Sequence, residues 1–305
     1  GTAMISALYP REKRAKVIGL WNAAIPLGSA LGIALGGFIA QHYGWHYAFG
    51  LVSIPGIVLA VLVFRVRDYQ TVALEKPVED QPGGLRRRMD LPEIVREFTH
   101  KPSLILNNLG MAGCVFVTTS LLTWLPTYYH RIEGLDMTRA GLKGSAIMLL
   151  AIIGAPLGGF LTDRWYSRRA NARLLFPAIT SLLTAVLLFI TFSFLEGIYQ
   201  YIGLLMCGIS ATGFVSAAIA VTQDVVHPGL RAISLSLNII IQHTLGSALG
   251  PPVIGALSDR FGLQTALMFL PLFALIASIL FLTASRFYND DVAKTVIIPV
   301  QMDED

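Results

Sequence analysis

Eight apolar runs, each about 20 residues long, constrain this chain more than any other feature, because that length crosses a lipid bilayer as a helix. The runs cover residues 17–41, 45–66, 104–129, 141–161, 174–195, 199–222, 233–257 and 264–285. A backbone in lipid must satisfy its own hydrogen bonds, and the short alternating runs of a membrane β-barrel are not seen. Only 14% of the residues are charged, against about a quarter in soluble domains. The sequence therefore predicts an all-α polytopic membrane protein with eight transmembrane helices.

A polar segment at residues 67–103 interrupts this pattern after the second run. It holds Pro82-Gly83-Gly84 and Arg86-Arg87-Arg88, and its second half, Leu91 to Phe98, predicts a short amphipathic helix on the membrane surface. We therefore expect four parts. They are the end of an N-terminal bundle with two transmembrane helices at 1–66, a cytoplasmic linker at 67–103, a C-terminal six-helix bundle at 104–285 and a cytoplasmic tail at 286–305.

The basic residues are distributed very unequally if the eight spans alternate in direction. Of the 23 Lys and Arg residues, 19 fall on one side of the membrane, and the other side has Arg131, Arg139, Lys143 and Arg260. Because the side richer in Lys and Arg is cytoplasmic, both chain ends are predicted to lie in the cytoplasm, as in a multi-pass protein of a bacterial inner (plasma) membrane. The isoelectric point near 9.1 then reflects topology, and no nucleic-acid partner is predicted.

An internal repeat links the first two spans to the last two. The hexapeptide Leu-Gly-Ser-Ala-Leu-Gly occurs at 27–32 and at 245–250, an offset of 218 that also pairs Gly44 with Gly262. Internal repeats are common in transporters. If the last two spans end a six-helix half, the first two end an earlier half, and the complete protein is expected to have about twelve helices in two such halves.

Two motifs resemble the major facilitator superfamily (MFS). The glycines of the first span resemble those of the family's fifth helix, although Ile33 stands where many members have proline, which argues against a drug antiporter. The segment from Gly159 to Arg169 is similar to the family's Gly-x-x-x-Asp-Arg-x-Gly-x-Arg-Arg loop, with Tyr166 in place of the second glycine. The resemblance implies the MFS fold, with family helices 5–12 present. The glycines expected to pack helices are Gly19, Gly28, Gly32, Gly36 and Gly37.

The same resemblance implies a function for the loop. Gly159 is expected to let two helices approach closely, and Asp163 to cap a neighbouring helix N-terminus. The basic residues Arg164, Arg168 and Arg169 are expected to bind carboxylates or helix C-termini, so that the loop forms a conformational gate. The alternative is that these arginines only anchor the loop in the cytoplasm.

Polar residues inside the spans are the candidates for binding a substrate, since a polar side chain facing lipid is costly. They are Asn22, Asn107, Asn108, Trp124, Asn238, Gln242 and His243. The alternative for each is hydrogen bonding between helices. Asn238 and Gln242 lie one turn apart on one face of a helix, and for this pair we favour a position in a substrate cavity over hydrogen bonding between helices. For His243, a neutral packed side chain is favoured over one that titrates.

These features predict a secondary active transporter that moves a small organic solute by alternating access. An organic anion is one candidate for that solute. The segment from Gln223 to Ala232, followed by Leu-Gly-Ser-Ala-Leu-Gly-Pro, resembles spinster-like and organic-anion (sugar-acid) transporters, so a spinster-like lipid or drug exporter is the alternative. A polytopic membrane enzyme is less favoured, because neither His-Glu-x-x-His nor Gly-x-Ser-x-Gly occurs. The expected partners are membrane lipid, the substrate and a coupling proton or other ion. No cofactor or metal is predicted, and the protein is expected to be monomeric.

Overall fold

The computed structural model describes residues 11–63, 95, 97–226 and 230–295, and for residues 11–23, 25, 26, 52 and 63 it describes the helical backbone alone. Every regular element longer than three residues in this part of the chain is a helix. In chain order we label them α1 Arg11–Tyr43, α2 Trp45–Val63, α3 Pro102–Arg131, α4 Met137–Tyr166, α5 Ala172–Phe194, α6 Gly197–Ser210, α7 Val215–Asp224, α8 Arg231–Ile241, α9 Gly250–Phe261, α10 Leu263–Leu267 and α11 Leu270–Ala293, with a π-helical segment, Gln242–Ser247, between α8 and α9.

Seven helical stretches among the described residues are long and apolar enough to cross a membrane. They are Trp45–Leu62, Pro102–Arg131, Met137–Tyr166, Ala172–Phe194, Gly197–Asp224, Arg231–Phe261 and Leu263–Ala293, and they coincide with the second to eighth predicted spans. The first predicted span lies within α1, which is helical throughout but whose first side chains are outside the described set. The all-α membrane fold is thus confirmed, with seven such spans found where eight were predicted.

Three of the predicted spans consist of more than one helix. The sixth is formed by α6 and α7 with a turn at 211–214, and the eighth by α10 and α11. The seventh is formed by α8, the π-helical segment and α9, which begins with Gly250-Pro251-Pro252. A proline lacks the amide hydrogen that would continue the ladder of the preceding helix, so the break at this point follows from the sequence.

Helix α3 occupies the centre of the C-terminal helices and is the most buried of the candidate spans. Two apolar clusters pack around it, one containing Phe116, Leu125 and Phe192, and the other containing Met111 and Phe281. It contacts α4, α9, α11 and the π-helical segment. Residues on α3 are therefore in reach of most other helices of this group.

Helix α1 packs on α4 through glycine. A Cβ added to Gly37 would lie 2.5 Å from the carbonyl oxygen of Met137, and one added to Gly141 would lie 2.8 Å from that of Ile33. Only glycine allows two helix backbones to come this close. This contact joins the first span of the chain to the fourth, and hence the two bundles that the sequence predicts.

The repeated glycines lie in matching turns but in different surroundings. Gly44 (φ +87°) ends α1 and Gly262 (φ +83°) ends α9, and in each case the next helix begins one residue later. In the second copy, a Cβ on Gly250 would lie 2.7 Å from the Ser120 hydroxyl of α3. Its counterpart Gly32 has no described atom within 4 Å of an added Cβ, and the same holds for Gly28 and Gly36. Gly19 lies outside the residues whose surroundings the structure describes.

Candidate functional site

Four amide side chains meet inside the C-terminal helices. Asn238 of α8 donates from Nδ2 to Asn108 Oδ1 on α3, at 2.8 Å, and accepts at Oδ1 from Gln242 Nε2, at 2.7 Å. One position along α3, Asn107 donates from Nδ2 to the carbonyl oxygen of Ala218 on α7, at 3.1 Å. The three asparagines are buried. This amide cluster (Asn107, Asn108, Asn238 and Gln242) therefore joins the third, sixth and seventh predicted spans, and its asparagines lie near the starts of the third and seventh.

One acceptor in the amide cluster is unused. Asn107 Oδ1 is buried and accepts a hydrogen bond from no described residue. Next to it, the Met111 sulfur lies 3.1 Å from Asn238 Nδ2 and takes only a weak hydrogen bond. A buried acceptor without a donor costs free energy, so a donor supplied by water or by a ligand would stabilise it. The cluster thus serves helix pairing and also leaves one polar group available.

The π-helical segment begins at Gln242, directly after the helix that holds Asn238. Ala248 donates its amide hydrogen to His243 O at 2.9 Å, five residues back, where an α-helix would use a carbonyl four residues back. Such wide turns inside helices are frequent at functional sites. His243 is exposed, and its Nδ1 lies 3.1 Å from the Ser247 hydroxyl. It is adjacent to the amide cluster in sequence but does not hydrogen-bond to it.

The remaining substrate candidates lie elsewhere. Trp124 donates from Nε1 to the carbonyl oxygen of Pro251 at 3.0 Å, and its ring is 2.9 Å from where a Cβ of Gly255 would be. It is 16 residues from Asn108 along α3, which is about 24 Å at the rise of an α-helix. The side chain of Asn22 is outside the described part of the chain. The structure therefore brings together four of the seven predicted candidates.

A cleft of about 410 Å³ opens between α1, α3 and α4. It is bounded by Gly32, Ile33, Gly36, Gly37, Ala40, Leu122, Thr123, Pro126, Thr127, His130, Arg131, Met137, Ala140 and Gly141. Thr123 and Thr127 are among its lining residues, and Arg131 lines it at the end of α3. Arg131 is exposed, and no described residue forms an ion pair with it. The cleft therefore combines apolar walls with an unpaired cation, which suits an anionic group.

The predicted gate loop, Gly159 to Arg169, is helical up to Tyr166, so that it forms the last turns of α4 and the turn that follows. Gly159 lies against α7, where an added Cβ would be 3.2 Å from the Ser216 hydroxyl, so α4 and α7 are close at this point. Beyond it, Asp163 and the basic residues Arg164, Arg168 and Arg169 are all exposed. Within the described ranges none of these four forms an ion pair, and most of the linker that could supply partners lies outside those ranges. The structure therefore gives their position but no contact for a gate.

A charged cluster beside this loop was not predicted. Arg173 at the start of α5 forms an ion pair with Asp224 at the end of α7, and Tyr288 of α11 donates to Asp224 Oδ2 at 2.8 Å. The Arg173 guanidinium also lies 4.0 Å from the ring centre of Tyr166 at the end of α4. These four residues, the Asp224 cluster, connect four helix ends. The sequence signal that could have indicated them is a pair of opposite charges, Arg173 and Asp224, at the same-side ends of two neighbouring spans.

A second charged cluster joins the start of α3 to the end of α11. Asp291 is buried and accepts from the amide of Ser103 at 3.0 Å and from its hydroxyl at 2.5 Å. A carboxylate at this place satisfies free amide hydrogens at a helix N-terminus and interacts favourably with the helix dipole. Lys101, also buried, lies 3.0 Å from Glu97 and donates to Thr295 at 2.8 Å. The last turn of the linker is thereby fixed to the C-terminal helices.

Together, the helical fold, the apolar spans and the glycine contacts define a multi-pass α-helical membrane protein. The profile of the Major Facilitator Superfamily matches residues 1–251, and the chain belongs to this superfamily. The predicted family resemblance is therefore confirmed, and the family is one of transporters. No finding bears on the four-part division of the chain, which stays a prediction.

Comparison with known proteins places the similarity closer to one branch. The chain is 27% identical over 322 residues to the sphingosine-1-phosphate transporter SPNS2 of Mus musculus, which covers 95% of this chain and 58% of that protein. It is 26% identical over 283 residues to protein spinster homolog 1 of Homo sapiens, with 84% of this chain and 51% of that protein covered. The chain thus spans just over half the length of these relatives. The spinster-like resemblance seen in the sequence is confirmed.

A solved structure has the same fold. A bacterial homolog of the human lysosomal transporter Spinster, crystallised in an inward-facing and unoccupied conformation, matches with a TM-score of 0.77 and 20% sequence identity. The match covers 95% of this chain and 74% of that one. At this level of identity the likeness shows the fold alone.

Proposed function

We propose that the protein is a secondary active transporter that moves a small organic amphiphile with an anionic group across the membrane by alternating access. The cleft between α1, α3 and α4 is the observation that carries this proposal, because it lies between helices of both predicted bundles. Arg131 offers an unpaired cation there, and apolar walls extend inward from it. The mouse relative is named for sphingosine-1-phosphate, which combines these two properties. A small hydrophilic organic anion such as a sugar acid is the second candidate, since Arg131 and the threonines would also suit it.

The helix contacts support a movement of two bundles. Gly37 and Gly141 bring α1 and α4 into backbone contact beside the cleft, at the end of α4 opposite the gate loop. Within the C-terminal helices, the amide cluster and the two charged clusters hold α3, α5, α7, α8 and α11 together. We expect these helices to move as one body, with the α1–α4 contact closing one entrance while the gate loop controls the other.

We further propose that the chain ends lie in the cytoplasm, that the membrane is a bacterial inner membrane and that the protein is monomeric. The distribution of basic residues supports the orientation. Cysteines introduced at Arg87 and Arg168 should react with an impermeant maleimide only from the cytoplasm, and one at Gly134 only from outside. The native Cys114 and Cys207 are buried, so background labelling should be low. Reaction of positions 87 and 168 from opposite sides would contradict the topology.

Transport itself is tested in proteoliposomes that contain the protein with all twelve expected helices. Uptake of radiolabelled hexadecyl phosphate, gluconate and an uncharged sugar is compared with and without an imposed proton gradient. We expect saturable uptake of the alkyl phosphate, and loss of that uptake in Arg131→Ala, with Arg139→Ala as the control for an outer arginine outside the cleft. Uptake of gluconate alone would favour the second candidate. Chromatography of the internal label should recover it unchanged, and a converted product would instead favour a membrane enzyme. No flux of any of the three solutes would contradict the proposal.

A further inference from the structure

A separate pocket of about 140 Å³ lies between α3, α4 and α6, within the C-terminal helices. Its walls are almost entirely apolar and include Leu121, Leu125, Ile147, Leu204 and Cys207. Apolar walls of this kind are stabilised when a hydrocarbon group covers them in place of water. The space therefore suits a hydrocarbon group and does not suit water.

The two threonines that line the cavity do not change its character. The Thr118 hydroxyl donates to the carbonyl oxygen of Cys114 at 3.1 Å, and the Thr212 hydroxyl donates to that of Ala151 at 2.8 Å. Both hydroxyl hydrogens are therefore used by the backbone, and a polar ligand would find no free donor there. A polar headgroup would lose its hydration in this space without compensation.

The cavity is not a result of loose packing. A Cβ added to Gly208 would lie 2.6 Å from the carbonyl oxygen of Ile147, and one added to Gly154 would overlap both Ile209 and Thr212. Helices α4 and α6 are thus in backbone contact beside the cavity. Closely packed helices normally fill such spaces with side chains. The volume stays open at this place because the residues around it include small glycines and alanines.

We propose that this cavity binds the apolar tail of the transported amphiphile, a single alkyl chain, while its anionic end lies in the cleft near Arg131. The inference rests on the proposed function and adds a second subsite to it. Leu122 lines both the cleft and the cavity, so the two spaces adjoin at this residue. Leu122 and Arg131 are nine residues apart on α3, which is about 13 Å at the rise of an α-helix. This distance is close to the thickness of the hydrocarbon layer of one membrane leaflet, about 15 Å.

Photolabelling of the full-length protein tests the site. The probe is hexadecyl phosphate with a diazirine at the end of the chain, and octyl phosphate is the short-chain comparison. We expect crosslinks in peptides of α3, α4 and α6 that line the cavity, and unlabelled hexadecyl phosphate should compete with them. Ala151→Leu fills the cavity and should weaken hexadecyl phosphate binding about tenfold or more, since each excluded methylene changes affinity about fourfold. Binding of octyl phosphate should change less.

Two further variants keep this result interpretable. Met148→Phe also fills the cavity and replaces Ala151→Leu if that protein does not fold. Ile153→Phe enlarges an exposed side chain of the same helix and should leave binding unchanged. Crosslinks outside the cavity, or equal weakening in Ile153→Phe, would overturn the proposal. So would crosslinks that hexadecyl phosphate cannot displace, because they would indicate a resident membrane lipid.

Failure of this inference and failure of the proposed function give different results. Labelling of the cavity that is lost in Ala151→Leu, together with no transport of any alkyl phosphate, supports the tail site and contradicts only the transport proposal. Transport of hexadecyl phosphate that is unchanged in both Ala151→Leu and Met148→Phe overturns the tail site and leaves the transport proposal intact.

Discussion

The hydrogen bond between Asn108 and Asn238 gives a direct way to separate helix pairing from substrate binding. In Asn238→Leu, a side chain of comparable size fills the site but neither donates to Asn108 nor accepts from Gln242. A hydrogen bond between membrane helices contributes about 0.6 kcal/mol on average and at most about 1.7 kcal/mol. The amide oxygen of Asn108 also loses its donor in a buried position, which adds a cost of about 1–3 kcal/mol if no water reaches it. Together the two contributions should lower the free energy of unfolding by about 2–5 kcal/mol.

A double-mutant cycle assigns this loss to the pair. Unfolding of the full-length protein is measured in mixed detergent and SDS micelles for Asn108→Leu, Asn238→Leu and the double variant. If the two amides bind each other, the double variant should be more stable than the sum of the two losses implies, by about 0.6–1.7 kcal/mol. Ser278→Ala removes a separate hydrogen bond to the Ala178 backbone and serves as the control partner. Its effect should add to that of Asn238→Leu within about 0.5 kcal/mol. Additive losses in the Asn108 and Asn238 cycle would refute the pairing.

The same variants distinguish the two functions proposed for the amide cluster. If Asn238 only pairs helices, the dissociation constant for hexadecyl phosphate should stay within about twofold of wild type once only folded protein is counted. If it also contacts substrate, the loss of a hydrogen bond to a ligand should raise that constant about tenfold, which corresponds to about 1.4 kcal/mol. Asn107, whose buried oxygen has no described donor, is the better candidate for such a contact, and Asn107→Leu should show the larger effect on binding.

Three further changes test the ends of the helices. Asp163→Asn should shift the ratio of inward to outward states, measured by accessibility labelling, by about 5- to 150-fold. Transport should therefore fall more than substrate affinity. Lost substrate binding with unchanged state populations would place Asp163 in the substrate site instead. Tyr288→Phe removes one hydrogen bond to the Asp224 carboxylate and should lower the free energy of unfolding by about 1–2 kcal/mol, and unchanged stability would mean that the cluster does not hold α11. Gly37→Leu forces a side chain into the α4 backbone and should abolish transport, whereas Gly50→Leu should not, because Gly50 is exposed on α2, outside the cleft, with no described atom within 4 Å of an added Cβ; equal effects would remove the role of the α1–α4 contact.

The number and position of most helices followed from the sequence because apolar length and charge asymmetry are local properties of a membrane chain. The helices nevertheless extend beyond the predicted runs, as in α4, which covers 137–166 where 141–161 was predicted. Helix ends reach the polar headgroup layer, where a helix no longer needs apolar residues. The matching turns at Gly44 and Gly262 could also be anticipated, since the repeat aligns them at an offset of 218.

The contacts of the site depended on information that the sequence does not carry. Asn238 and Asn108 are 130 residues apart, and whether their amides face each other or a cavity depends on the rotation of α8 and α3 about their axes. A hydrophobicity pattern cannot fix that rotation for a helix that is apolar on most sides. The π-helical turn was not predicted either, because Pro251 and Pro252 indicate an interruption of the helix but not the form that the interruption takes. The Asp224 cluster combines four helix ends and exists only once the bundle has formed.

The broken span Arg231–Phe261 also has a consequence for the synthesis of the protein in the cell. Its mean hydropathy is the lowest of the seven candidate spans, and it contains two buried or half-buried amides, a histidine and a pair of prolines. A segment of this kind leaves the translocon into lipid less readily than a uniformly apolar one. The amide nitrogen of Asn238 finds its oxygen acceptor on α3, which is synthesised about 130 residues earlier. The earlier helices would therefore have to remain beside the translocon until this span arrives, so that its insertion and its packing become a single step.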